Sequence, residues 1–139
     1  MLHGAPMTAL LHIHSGLRYL VLLAALGHLV VAGLALLRSQ PLGKGNRIAS
    51  SIFMGLLHTQ VLVGLVYMVA HGFYPALAGH LAMMLVAAAV ATVVPIRNRK
   101  RPTPSAGLAL AGTAFALLCI VIGIIAIGRS PLGSTAFGG

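Results

Sequence analysis

Four long apolar runs follow one another along the chain, separated by short polar breaks. They cover about Thr8–Leu37, Ile48–Ala70, Leu77–Val94 and Ser105–Ile127. Each reaches or approaches the ~20 residues that a helix needs to cross ~30 Å of hydrocarbon. The pattern predicts four membrane-spanning helices. The third run is the shortest, and Pro95 is expected to close it. The first is longer than a span requires, so it protrudes at its outer end or tilts. The connections are short, which forces neighbouring helices to run antiparallel. The expected fold is all-α: a single integral membrane domain over residues 1–139, an up-down-up-down four-helix bundle.

The polar breaks differ in charge. Arg38–Arg47 and Arg97–Pro104 together hold seven of the nine Lys and Arg residues. The break at His71–Pro75 holds none, nor does the segment before His14. The positive-inside rule places both basic loops in the cytoplasm and both termini outside. Arg129, just past the fourth run, is a mild exception. The expected location is a bacterial plasma membrane, with the lipid bilayer as first partner. The N-terminus lacks a basic leader, so no cleaved signal peptide is expected.

Composition supports the membrane assignment. The chain is 59% hydrophobic and 6% charged, against about 25% charged residues in a soluble domain. Its net charge of +9 would suggest nucleic acid in a soluble protein. Here the basic residues flank membrane spans, so a nucleic-acid partner is not expected. The 139 residues include no Asp and no Glu. Carboxylate-based acid/base chemistry, hydrolytic triads and oxygen-ligated divalent cations are thereby excluded. Cys119 stands alone in an apolar run and reads as a small buried residue. A carrier or structural role is favoured over an enzyme.

Small residues mark the expected helix contacts. They are Gly27, Gly33, Gly55, Gly64, Ala87, Ala88, Ala91, Gly107, Ala111, Ala114 and Gly123. The Gly-rich Pro131–Gly139 segment reads as a poorly ordered tail.

The histidines carry the remaining chemistry. At helical pitch His14, Arg18, Val21, Ala25 and His28 share one stripe, while His12 points away. His3 precedes the helix and reads as solvated. The 1.5 Å rise sets two levels. His14 and His80 lie near the outer boundary, with His71 beside them. His28 and His58 lie about 14 and 15 Å above the cytoplasmic side. An ionisable side chain within the bilayer marks a site, and Arg18 lies one turn below His14. The plainer reading makes His28, His58 and Gln60 interhelical hydrogen-bond partners, each worth about 0.6 kcal/mol. The sharper reading is haem b: imidazoles on facing helices are good axial ligands, and Arg18 suits a propionate. Two pairs are expected, His14 with His80 and His28 with His58, or one haem joining His58 to an outer histidine. Copper is a further candidate, through His80 with Met83 and Met84.

Three motifs carry a resemblance. His14-Ser-Gly-Leu-Arg-Tyr19, then His58-Thr-Gln60 with Gly64-Leu-Val-Tyr67, then Gly79-His80 with Met83-Met84-Leu85 resemble small four-span bacterial membrane proteins described as cytochrome b-like or uncharacterised. The usual pattern has tryptophan in place of Tyr19 and an acidic residue in place of Gly79. The resemblance covers three of the four spans. It implies functional roles for His14, Arg18, His58, Gln60 and His80, but not for His28.

The leading expectation is a b-type haem protein that transfers electrons, working with other membrane or respiratory-chain subunits. The alternatives are a non-catalytic accessory or scaffold subunit of a larger membrane complex, and a copper-handling membrane protein.

Overall fold

The computed structural model describes residues 4–133. Four α-helices account for most of them: α1 (Ala5–Leu37), α2 (Lys44–His71), α3 (Ala76–Arg99) and α4 (Ala106–Ala126). No strand occurs among the described residues. Each helix is long and apolar enough to cross a membrane. The protein is an integral, multi-pass, all-helical bundle. His3 and all but the first three residues of the Pro131–Gly139 segment lie outside the described residues.

Local chemistry sets the helix ends. Pro6 opens α1, where a missing N–H costs nothing. α2 stops at Gly72, whose φ of 102° is one that L side chains avoid. Ser105 caps α4, its hydroxyl accepting from the Leu108 N–H at 3.1 Å. Asn98 closes the α3–α4 loop by donating to the Ser105 carbonyl and accepting its N–H, both at 2.8 Å.

Pro95 corrects one expectation. It does not close the third helix, which continues to Arg99. Proline removes a single backbone hydrogen bond, and α3 packs closely on α4 at that level. A Cβ on Gly112 would sit 2.6 Å from Val94 Cγ1. α2 likewise starts one turn earlier than the apolar pattern suggests, at Lys44.

The helices form a ring of neighbours. α1 packs on α2 and α4, and α3 packs on α4 and α2. Among the described residues neither diagonal pair makes a close backbone approach. Val21, Ala25, Phe53, Leu57, Ala87 and Ala116 fill the centre. Large apolar side chains also face outward on every helix: Leu23, Leu62, Leu85 and Leu118 are at least half exposed. In water such a surface would aggregate; against acyl chains it is matched.

The small residues divide into two groups. Ala87, Ala88 and Ala91 are buried, and Gly64 and Gly123 lie against neighbouring side chains. Gly27 and Gly55 have nothing within 4 Å of a Cβ position, and Ala111 and Ala114 are exposed. Composition marks these positions as small, but helix orientation decides which of them touch. Cys119 is buried and free.

Candidate functional site

The α1 stripe turns inward as its spacing predicts. Val21, Ala25 and His28 are buried, and His14 and Arg18 are half-buried at its outer end. There the four helices part around a cleft of about 250 Å³. His14 and Arg18 of α1, Gln60 and Tyr67 of α2, His80 of α3 and Arg129 beyond α4 line it. Four of the six candidate residues therefore come together: His14, Arg18, Gln60 and His80.

Their hydrogen bonds are specific. His80 Nδ1 donates to the Gly123 carbonyl of α4 at 2.8 Å. That carbonyl lies in the last turn of α4, where backbone acceptors lack intrahelical donors. The bond fixes the tautomer: Nδ1 carries the proton and Nε2 keeps its lone pair. Gln60 Nε2 donates to the His14 carbonyl at 2.9 Å and lies 3.4 Å from His14 Nε2. Gly64 makes room for the ring, since a Cβ there would sit 2.8 Å from His14 Cε1.

Arg18 Nη2 donates to Tyr19 Oη at 2.9 Å and to the Gly133 carbonyl at 2.7 Å. Tyr19 also donates to that carbonyl, at 2.8 Å. These partners are all neutral, and the sequence has no carboxylate side chain to supply a counter-charge. Three polar atoms here are buried without any partner: His14 Nδ1, Arg18 Nε and Gln60 Oε1. Buried polar groups are normally hydrogen-bonded, so these three atoms are open to water or to a bound group.

The expected central pair does not form. His28 is 1% exposed. Its Nε2 donates to Asn46 Oδ1 at 2.9 Å, and its Nδ1 accepts from the Thr113 hydroxyl at 2.7 Å. Both nitrogens are thus committed. Asn46 precedes His58 by twelve residues on α2, or about 18 Å along the axis. The two histidines cannot share one metal. His58 is exposed and bonds to Thr92 of α3 at 2.9 Å. The shared level inferred from residue counting fails because α2 begins well above the end of α1. His28 and His58 behave as interhelical hydrogen-bond partners.

His71, at the end of α2, lines the cleft and stacks on Tyr67 with ring centroids 5.2 Å apart. Of the expected copper set, His80 and Met84 line the cleft, while Met83 packs beside Gly123. Among the described residues no three His, Cys, Asp or Glu side chains gather as a metal site.

No protein-family model matches the chain, and neither a curated protein nor a solved structure is similar to it.

Arg129, which lines the cleft, and the Gly123 carbonyl, which holds His80 from behind, were not singled out by sequence reasoning. Arg129 was visible as the one basic residue past the fourth span, but only as an exception to a topology rule. The Gly123 carbonyl is a backbone atom, so no residue identity announces it.

Proposed function

We propose that this protein is a b-type haem carrier that transfers electrons within the membrane, with the haem in the outer cleft. The observation that carries the reading is the His80–Gly123 bond. Metal-bound imidazoles characteristically donate their second ring nitrogen to a carbonyl or carboxylate, which orients the ring and raises its basicity. His80 has that arrangement, with Nε2 left free. It also answers the missing acid at Gly79: the backbone carbonyl of α4 takes the place of a neighbouring carboxylate.

His14 and His80 would hold the iron, with Gln60 positioning His14 through its bond to the His14 carbonyl. Arg18 and Arg129, both lining the cleft, would meet the propionates. When bound, haem supplies a one-electron iron couple. The residues around it hold and orient it and exclude water. The basic loops favour a bacterial plasma membrane with both termini outside, and electron exchange with other membrane subunits.

The test is an absorption spectrum of protein purified after expression with ample haem, reduced against oxidised. A Soret band that shifts on reduction is expected. His80→Gln is the discriminating variant. Glutamine can still donate to the Gly123 carbonyl but ligates iron poorly, so the fold should survive and the pigment should not. Wild-type protein without pigment, or pigment that persists in both His80→Gln and His14→Gln, would overturn the reading.

A further inference from the structure

A second pocket lies at the opposite end of the bundle, between the start of α2 and the end of α3. Its volume is about 230 Å³, and His28 forms its floor. Asn46, Arg47, Asn98 and Arg99 are among its walls. This pocket shares no residue with the outer cleft.

Its polar groups are donors in excess. Asn46 is 8% exposed. Its Oδ1 is taken by His28, while its Nδ2 has no hydrogen-bond partner among the described residues. The start of α2 lacks a side-chain cap. The N–H groups of Lys44, Gly45 and Asn46 precede the first helical acceptor, the Gly43 carbonyl bonded by Arg47. A 28-residue helix therefore presents open amides and the positive end of its dipole at this place.

Two guanidinium groups stand beside these amides. Arg99 is positioned rather than free. Its Nη2 donates to the Arg47 carbonyl at 3.2 Å, to Ser50 Oγ at 2.7 Å and to Ser51 Oγ at 3.0 Å. The Arg47 guanidinium has no partner among the described residues. No carboxylate side chain anywhere in the sequence can neutralise either. The Asn46 amide, the uncapped start of α2 and two guanidinium groups, of which only Arg99 has acceptors within the fold, border one small pocket.

We infer that this inner pocket binds a phosphate-bearing anion, held by Arg47, Arg99, the Asn46 amide and the open start of α2. A tetrahedral anion with several acceptor oxygens matches this donor set better than a halide or a single carboxylate. The phosphate can come from an anionic phospholipid headgroup or from free phosphate. A neighbouring open groove shares Arg47 and Arg99 and carries the half-exposed Ile48 and Ile52, a surface an acyl chain could follow. Because Asn46 also holds His28, a bound anion would tie α2, α3 and the buried His28–Thr113 bond into one unit.

The test uses the full chain in detergent. Native mass spectrometry follows retention of phosphatidylglycerol against phosphatidylcholine. A thermal-unfolding series compares sodium phosphate with sodium chloride at equal ionic strength. Arg47→Gln is the working variant, since its side chain is exposed and bonds to nothing in the fold. Arg101→Gln is the control, a basic residue of the α3–α4 loop outside the pocket. Selective retention of phosphatidylglycerol identifies a headgroup, and stabilisation by inorganic phosphate identifies a free anion. In either case Arg47→Gln should weaken the effect about tenfold, the scale of one lost charged hydrogen bond, and Arg101→Gln should leave it unchanged. The wild-type comparison stands whether or not the variant folds. No preference for phosphate in either arm, or equal losses in the two variants, would overturn the inference.

Discussion

His14 and Gly64 occupy complementary positions across the α1–α2 interface. A Cβ on Gly64 would lie 2.8 Å from His14 Cε1, so the absence of a side chain on α2 sets where the α1 imidazole rests. Gly64→Ala should therefore displace the ring without unfolding the bundle. On the proposed haem reading, retention should fall by roughly ten- to a hundredfold, the usual cost of disturbing a group that orients a ligand. Pigment yield with unchanged helical circular dichroism is the measurement.

His28 ties α1 to α2 and α4 through Asn46 and Thr113. Truncation leaves the Asn46 amide oxygen and the Thr113 hydroxyl without their partner. His28→Ala should lower stability by roughly 1–3 kcal/mol and leave any haem spectrum unaltered. Thermal unfolding in detergent, read beside the absorption spectrum, separates the two effects.

His58 provides the contrast. It is exposed and makes one interhelical bond, to Thr92. His58→Ala should cost about 0.6 kcal/mol and keep the pigment. Loss of colour in this variant would count against the proposed pair His14 and His80.

Gly123 sits at a close approach of α3 and α4, behind His80. A Cβ there would meet Met84 Cε at 2.7 Å and Met83 Cβ at 3.0 Å. The Met84 methyl can swing aside; the Met83 Cβ cannot move without its backbone. Gly123→Ala should destabilise by about 1–3 kcal/mol and disturb the carbonyl that holds His80. Gly55, with open space around it, is the control: Gly55→Ala should be neutral or stabilising by up to ~1 kcal/mol.

Arg18, in the N-terminal half of α1, donates to the Gly133 carbonyl beyond α4. Arg18→Gln should increase hydrogen exchange across residues 128–133 and lower haem retention together. Arg18→Lys keeps the charge but not the planar fork, so it should restore retention only in part.

The sequence by itself determined the four helices, because apolar run length against bilayer thickness is a one-dimensional property. It also determined the inward stripe of α1, since pitch alone puts His14, Arg18 and His28 on one side. Which histidines meet was decided only by tertiary structure. Residue counting assigned His28 and His58 to one level, but the offset between α1 and α2 sets His28 against the first turn of α2 and leaves His58 facing Thr92. The His80 partner was equally hidden, because a helix-end carbonyl carries no residue identity and becomes an acceptor only when a neighbouring helix brings a donor to it. Depth and spacing along one helix can be read from the order of residues, whereas the vertical slip between helices depends on how their surfaces pack.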